Sequence, residues 1–375
     1  MRGRMLAAVR SVALVLAGLG AGQSASEWAI AADYPAPRES DFVVRDFKFK
    51  SGETLPELRI HYHAFGQPKR DSHGIVRNAV LIVHGTGGSG SSLIRPEFAG
   101  ELFGPGQPLD VARYFVVLPD ALGHGKSSKP SDGLHARFPH YGYNDMVESE
   151  YRLLSEGLGV KHARLIMGTS MGCMHTWLWG EQHPGFMDAL MPLACLPTQV
   201  SGRNRVWRRL ISDAIRNDPA WLGGEYATQP PSLRTALEMT WLVGSNPALR
   251  QQEAPTRAQA DSVIDAYVSK NLPLDDANDV LYQIESSFDY DPGPALEKIR
   301  APLYAVNSAD DLINPPELGI LEREIKRVPR GKAVVIPYGE QTRGHGSHTL
   351  ALLWKQHLEE LLRESCQGSC TMSMR

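Results

Sequence analysis

A serine flanked by two glycines is the first residue of this sequence whose surroundings suggest chemistry. The stretch Gly168-Thr169-Ser170-Met171-Gly172 has the form G-x-S-x-G. Where a strand reverses into a helix within one residue, the turning residue is strained and its neighbours must be nearly free of side chain. The sequence ARLIM before the pattern predicts a buried strand, and MGCMHTWLWGEQHP after it predicts a helix. Ser170 is therefore predicted to lie above a sheet as a nucleophile.

A nucleophilic serine requires a general base, and the base requires a carboxylate that orients it. The predicted strand KAVVIPYG leads to a glycine-flanked loop that contains His345. The predicted strand APLYAVNSA ends in Asp310 and Asp311, and both lie where a carboxylate could hold that histidine in its productive tautomer. Ligands bind at the carboxyl ends of strands in parallel sheets, which is where all these residues fall.

An oxyanion hole is expected from the small residues that follow the predicted strand AVLIV. The backbone N–H groups of Thr86 and Met171 are the candidate donors. The same stretch, GTGGSG, formally matches the dinucleotide-binding pattern G-x-G-x-x-G, which requires a helix to start at once. The residues that follow oppose a regular helix: Pro96, Gly100, Gly104, Pro105, Gly106 and Pro108. A dinucleotide site is therefore disfavoured, and no cofactor is expected.

Predicted strands and helices alternate along most of the chain, which predicts an α/β fold with a mostly parallel sheet flanked by helices. The helix NDMVESEYRLLSEGLG has Asn144 as its candidate N-cap. Strand signals are scarce between residues 198 and 294, where several amphipathic helical segments occur instead. We therefore predict a first core part at 32–197, a helical cap at 198–294 and a second core part at 295–375.

Residues 1–31 have the features of an export signal, with three arginines before a short apolar stretch. Ala29-Ile30-Ala31 offers a cleavage site, and residues 24–26 offer a competing one. The apolar stretch is too short for a membrane span, so we expect a periplasmic or secreted protein without stable membrane insertion. The net charge of −3 and the absence of like-charge runs give no reason to expect a nucleic-acid partner.

The four cysteines, and two of the thirteen histidines, are candidates for disulfide bonds or metal ligands. Cys366 and Cys370 lie close together in the polar tail, where a local disulfide is plausible, whereas Cys173 and Cys195 are expected to be buried thiols. The zinc patterns C-x-x-C and H-E-x-x-H are absent from the sequence. The residues at 61 and 63 are histidines on one face of a predicted strand, yet no third ligand suggests itself, so no metal is expected.

With these residues in place, the chain resembles the α/β-hydrolase superfamily and, within it, the homoserine O-acetyltransferase-like family. The likeness covers nearly all of the chain after residue 31 and includes SGETLPELRIHYHAFG, NDMVESEYRLL, GTSMGCMHTWLW and AIRNDPAWLGGEY. The resemblance implies an α/β-hydrolase fold with a helical cap. It implies Ser170 as nucleophile, His345 as base, and Thr86 and Met171 as oxyanion donors.

In the family, the catalytic acid lies at a set spacing after a proline of the preceding strand and before a second proline. This spacing favours Asp311 as the acid, with Asp310 as the second choice. Caps in this family can pair subunits, so a homodimer through the cap is left open. The cap aromatics are expected mainly to pack the cap, although they could also line a substrate pocket: Trp207, Trp221, Tyr226 and Trp241. His124 is assigned to the start of a helix, with a place near the cleft as the alternative.

Two departures from the family pattern bear on the substrate. Transferases of this family usually carry a Gly-Gly-Cys-Tyr-Gly-Ser stretch at the place of residues 122–128. Here these residues are LGHGKSS, which is similar to the stretch that ordinary esterases carry there. They also carry an Ala-Arg pair in the cap, whereas the matching place here is Ala236-Leu237, with Arg234 out of register. We therefore expect a serine hydrolase acting on a small carboxylic ester, with an O-acyltransferase of the homoserine O-acetyltransferase type as the alternative.

Overall fold

The strands of this protein form one twisted sheet in a computed structural model that describes residues 34–366. Its order is β1-β2-β4-β3-β5-β6-β7-β8 over the described residues. The strands are β1 (Arg38–Lys48), β2 (Thr54–Phe65), β3 (Ala79–Val83), β4 (Phe115–Pro119), β5 (Leu165–Thr169), β6 (Leu190–Leu193), β7 (Leu303–Ser308) and β8 (Gly331–Ile336). Strand β2 pairs antiparallel with β1 and β4, and the remaining pairs are parallel. The predicted mostly parallel α/β sheet is confirmed.

Helices cover both faces of this sheet and fill the segment between β6 and β7. They are α1 (Ala99–Leu102), α2 (Tyr143–Arg152), α3 (Met171–Gln182), α4 (Gly202–Arg216), α5 (Ser232–Gly244), α6 (Pro247–Glu253), α7 (Arg257–Asn271), α8 (Ala277–Glu285), α9 (Ile320–Glu324) and α10 (Lys355–Glu364). Among the described residues, no helix is long and apolar enough to cross a membrane.

The central strands are apolar at nearly every position because both of their faces are covered. Along β3, Leu81 and Val83 join one buried cluster with residues of α2 and α3. The intervening Val80 and Ile82 join a second cluster with residues of α1 and α10. The period of two along the strand thus divides the core into two layers around the sheet.

The segment predicted as a cap, residues 198–294, contains helices α4 to α8 and no strand. These helices bury a third apolar cluster of their own, which includes Trp207, Ile211 and Leu281. The predicted export signal, residues 1–31, lies outside the described residues.

The first turn of α2 corrects a sequence prediction. The helix begins at Tyr143, one residue before the predicted N-cap Asn144. A carboxylate from a distant segment supplies the cap, because Asp289 accepts hydrogen bonds from the N–H groups of Tyr143 (2.8 Å) and Asn144 (3.2 Å). The prediction was wrong because it considered only neighbours in sequence.

A disulfide bond joins Cys173 to Cys195, which corrects the prediction of two buried thiols. Both residues are buried, but α3 packs against β6 and brings their Cα atoms to 5.8 Å, within the usual range for a disulfide. Their sequence separation of 22 hid this pairing in the sequence. The predicted bridge from Cys366 to Cys370 stays a prediction, since Cys370 lies outside the described residues.

Candidate active site

Ser170 is the turning residue between β5 and α3, with φ of 54° and ψ of −106°. A non-glycine residue with positive φ is strained, and such strain is held only where the surroundings leave no alternative. A Cβ atom at Gly168 would lie 2.2 Å from the carbonyl oxygen of Gly172, and one at Gly172 would lie 2.2 Å from that of Val83. Both glycines of the G-x-S-x-G pattern are therefore required by close backbone contact.

The three residues predicted as a catalytic triad lie in one hydrogen-bonded chain. His345 Nε2 lies 2.8 Å from Ser170 Oγ, and His345 Nδ1 lies 2.8 Å from Asp311 Oδ2. With Nδ1–H donated to the carboxylate, the lone pair of Nε2 faces the serine hydroxyl. This arrangement can remove a proton from Ser170.

Asp311 is 1% exposed and is held by its own turn. Its carboxylate accepts the N–H groups of Ile313 (2.8 Å) and Asn314 (3.1 Å) and the amide of Asn314 (3.2 Å). Burial acts to raise the pKa of this carboxyl group, but His345 and the Asn314 hydrogen bonds outweigh it and lower that pKa. Asn314 is a positioning residue that sequence reasoning missed, although an Asp-x-x-Asn turn was legible in the sequence.

Asp310, the second candidate for the acid, points elsewhere. Its carboxylate accepts the N–H of Gly344 (2.8 Å) and hydrogen bonds from the side chains of Asn246 and Ser308. Burial acts to raise the pKa of Asp310, and these donors outweigh it, so the pKa is lowered. The structure therefore places Asp311 on His345 and uses Asp310 to tie the histidine loop to the cap.

The two predicted oxyanion donors flank the serine. Within residues 34–366, the N–H groups of Thr86 and Met171 have no hydrogen-bond acceptor. The N–H of Gly172 donates to the carbonyl of His84 at 3.0 Å, which fixes the β3 loop against the start of α3. A Cβ at Gly85 would lie 3.2 Å from the Cβ of Ser170, so this loop passes directly beside the nucleophile. The two free donors are available to a developing oxyanion.

The dinucleotide pattern in this loop does not lead into a long helix. A four-residue 3₁₀ helix, Gly90–Leu93, follows it. The N–H of Gly90 donates to the Asp120 carboxylate at 2.7 Å, so an anionic side chain already occupies that donor. A phosphate group would meet a like charge here, which agrees with the disfavoured nucleotide site.

Three other histidines near the site are neutral partners of the backbone. Burial lowers the pKa of His84 and of His124, and their rings lie 5.1 Å apart. His124 lies in a turn, so its assignment to a helix start was wrong. Burial, with the nearby His345, also lowers the pKa of His348 to about 3. Being neutral, these rings add no charge to the site.

The predicted aromatic residues of the cap pack within the cap. Trp207 is buried in the cap cluster, and Trp221 donates from Nε1 to Asn278 at 2.9 Å. The Tyr226 hydroxyl donates to Asp276 at 2.7 Å, and Trp241 lies under the Arg250 guanidinium at 4.8 Å. Their contacts support the packing role rather than the pocket role.

Comparisons with known proteins agree with this fold. The family described as alpha/beta hydrolase fold matches residues 78–340. A "Probable acyltransferase" of Methanothermobacter thermautotrophicus is 30% identical over 298 residues, which cover 79% of this chain and 89% of that protein. A homoserine O-acetyltransferase of Thermobifida fusca is 33% identical over 213 residues, 53% of this chain and 54% of that protein. The crystal structure of esterase E22 superposes with a TM-score of 0.75 at 18% identity, covering 87% of this chain and 100% of that one.

The chain therefore belongs to the α/β-hydrolase family. This family membership and the related acyltransferase support an enzyme of the hydrolase and acyltransferase type. Within the family it belongs to the homoserine O-acetyltransferase-like group.

Proposed function

We propose that the chain is a serine hydrolase of small carboxylic esters that works through an acyl-enzyme. The observation that carries this proposal is the continuous hydrogen-bonded chain from Ser170 Oγ through His345 to Asp311, with 2.8 Å at each step. The strained backbone at Ser170 and the free N–H groups beside it support the same conclusion.

The reaction has two halves. His345 Nε2 takes the proton of Ser170 as Oγ bonds to the ester carbonyl carbon, and the N–H groups of Thr86 and Met171 stabilise the oxyanion. His345 then gives that proton to the leaving alkoxide, which departs as an alcohol. Water, deprotonated by His345, attacks the acyl-enzyme, and the carboxylic acid leaves as Ser170 regains its proton. Asp311 stabilises the imidazolium in both halves.

Two observations favour an ester over homoserine as the substrate. The chain has no arginine at the cap position where transferases of the family carry one. The nearby Arg234 on α5 is paired instead with Glu238 (2.7 Å) and Asp265 (2.6 Å). Both carboxylates neutralise its guanidinium at the surface of the cap. Residues 122–128 also have the esterase-like sequence LGHGKSS. The names of the two sequence relatives support the second candidate, acyl transfer to an alcohol.

The test is release of nitrophenol from short- and medium-chain nitrophenyl esters by the purified protein and by Ser170→Ala. We expect turnover that falls by about 10⁴-fold or more in the variant, while its unfolding temperature is retained. A single burst without turnover, followed by release when an alcohol is added, would favour acyl transfer. Equal turnover by both proteins would refute the serine mechanism.

We propose further that the protein is exported and that residues 1–31 are removed. The Cys173–Cys195 disulfide supports this, because such bonds persist mainly in oxidising compartments. Fractionation of the source cells with amino-terminal sequencing is the test. A periplasmic or secreted protein beginning near residue 32 is expected, and a cytoplasmic protein with an intact amino terminus would contradict the proposal.

A further inference from the structure

Two acidic residues and two histidines form a square on the first hairpin, away from the triad. Strand β1 carries Glu39 and Asp41, and the adjacent strand β2 carries His61 and His63. The register places Glu39 opposite His63 and Asp41 opposite His61. Because side chains alternate along a strand, all four share one face of the sheet. The third ligand that the sequence did not suggest is therefore Glu39, supplied by the neighbouring strand.

The distances within this square match those of a transition-metal site. His61 Nε2 lies 3.3 Å from Glu39 Oε2, and His63 Nε2 lies 3.6 Å from Glu39 Oε1. Two ligand atoms bound to one tetrahedral Zn²⁺ at about 2.0–2.1 Å lie about 3.3–3.4 Å apart. One ligand atom from each of the three residues can be chosen so that all lie within 4.8 Å of one another.

Asp41 has the position of the carboxylate that commonly supports a metal-bound histidine. Its Oδ1 lies 2.7 Å from Nδ1 of His61. When Nδ1–H is donated to Asp41, Nε2 of His61 carries a lone pair directed towards Glu39. Such a carboxylate fixes the tautomer and orientation of the ring and makes the imidazole a better ligand.

Both histidines are buried, and each has one ring nitrogen without a hydrogen-bond partner among residues 34–366. His61 is 5% exposed and His63 is 4% exposed. In the described part of the chain, Nε2 of His61, the atom that faces Glu39, has no hydrogen-bond partner. The unpartnered nitrogen of His63 is Nδ1, whereas its Nε2 faces Glu39. Buried polar atoms normally have a partner, so a lone pair facing a carboxylate oxygen at 3.3 Å points to a cation between them.

We propose that Glu39, His61 and His63 bind a divalent transition-metal ion of the Zn²⁺ class, with Asp41 orienting His61. Imidazole and carboxylate ligands suit such ions, and three protein ligands leave a fourth position for water. Lys126 competes for the same carboxylate, because its Nζ lies 2.6 Å from Glu39 Oε2. The Lys126 side chain is 66% exposed and can turn into solvent when the metal binds.

The test is titration of the full chain, freed of metal by dialysis against a chelator, with Zn²⁺ in a calorimeter. Co²⁺ serves as a second probe, since its visible absorption reports the coordination number. We expect one Zn²⁺ per chain and at least about 10-fold weaker binding in Glu39→Gln, which changes an exposed side chain. Asp41→Asn is expected to weaken binding by about 10–100-fold. The exposed His73, replaced by Ala, is the matched control that retains full affinity.

Lys126→Met separates a metal site from a purely structural cluster. Removing the competing ammonium should strengthen Zn²⁺ binding by about 1.5- to 5-fold, the range expected for one exposed ion pair. A structural cluster would bind no metal in any variant. Absence of Zn²⁺ binding by the unmodified chain, or equal binding by the unmodified chain, Glu39→Gln and Asp41→Asn, would overturn the proposal.

Discussion

The sheet and the cap differ in what their residues do: the sheet positions the candidate triad, whereas the cap packs around its own apolar cluster. Ser170, Asp311 and His345 each follow a strand, and hydrogen bonds at 2.8 Å link them in sequence. The cap has its own apolar cluster but leaves large apolar side chains in solvent: Val206, Leu210, Leu222, Leu242 and Leu274. The candidate catalytic groups thus lie at strand ends of the sheet, whereas the described cap residues contribute their own packing and an exposed apolar surface.

A few polar contacts join the two regions. Asp279 of α8 accepts the N–H and hydroxyl of Ser131 at 2.8 and 2.6 Å. Gln283 donates to the carbonyl of Gly123 at 3.0 Å. Asp310, which is next to Asp311, accepts hydrogen bonds from Asn246 in the cap and from Gly344 beside His345. Substitutions in the sheet and in the cap should therefore distinguish residues that act in catalysis from residues that attach the cap.

The largest expected effect on turnover comes from replacing Asp311, and the adjacent carboxylate Asp310 provides its control. Asp311→Asn should lower kcat by about 10⁴-fold, because the amide cannot hold His345 in its productive tautomer or stabilise the imidazolium. Asp310→Asn is the matched control and should lower kcat by about 10-fold or less, since only the loop tie is weakened. Both are measured with the nitrophenyl ester assay. An equal loss in the two variants would mean that the acid assignment is wrong.

The disulfide gives the next largest effect, on stability rather than chemistry. Cys173→Ala combined with Cys195→Ala should lower the free energy of unfolding by about 3 kcal/mol, given a closed loop of 22 residues. Turnover at low temperature should be retained, since neither sulfur contacts the triad. Chemical denaturation of the variant, and of the unmodified protein with and without reductant, measures this. Identical unfolding curves would contradict a stabilising bond.

Asn246→Asp tests whether cap attachment reaches the chemistry. The new carboxylate can still cap α6, as the Asn246 side chain does for the N–H of Leu249. The substitution removes the N–H group that donates to Asp310 and places a second negative charge beside it. We therefore expect kcat/KM at neutral pH to fall by about 10-fold. Asn144→Asp changes an equivalent amide, which donates to Asp289 at 2.7 Å, and should leave kcat/KM unchanged. Equal losses would show that the two contacts act alike.

The smallest expected effect concerns Glu181, on α3 opposite the segment that returns from the cap. Burial raises the pKa of Glu181 to about 8. The folded state therefore keeps a proton that the unfolded state releases, so this contribution to stability is full below about pH 4.5 and is lost as the pH rises through about 8. Between pH 5 and 8.5, the free energy of unfolding should fall by about 1 kcal/mol less in Glu181→Gln than in the unmodified protein, a figure that allows for the partial exposure of Glu181.

Urea denaturation at several pH values measures the effect at Glu181. The exposed Glu156, replaced by Gln, is the control that should leave the pH dependence unchanged. Parallel stability curves for the unmodified protein and Glu181→Gln would contradict the raised pKa.

The sequence predicted the fold, and the structure brings the predicted Ser170, Asp311 and His345 together because each follows a strand of one sheet. The residue pattern alone left Asp310 and Asp311 open, and only the family resemblance favoured Asp311, since the choice depends on the turn that Asn314 holds. It missed the Cys173–Cys195 bond because that pairing depends on how α3 packs on β6. Contacts between residues far apart in sequence, rather than local propensity, account for each of these failures.

The chain order divides the catalytic groups between two lengths of sequence. Ser170 and both candidate oxyanion donors precede the cap, whereas Asp311 and His345 follow it, with β7 and β8 at one edge of the sheet. A cut in the exposed turn at residues 255–256, between α6 and α7, would leave the nucleophile on one fragment and its base on the other. Neither fragment alone holds a complete triad, so this architecture is suited to fragment complementation, with ester turnover reporting that the two halves have met.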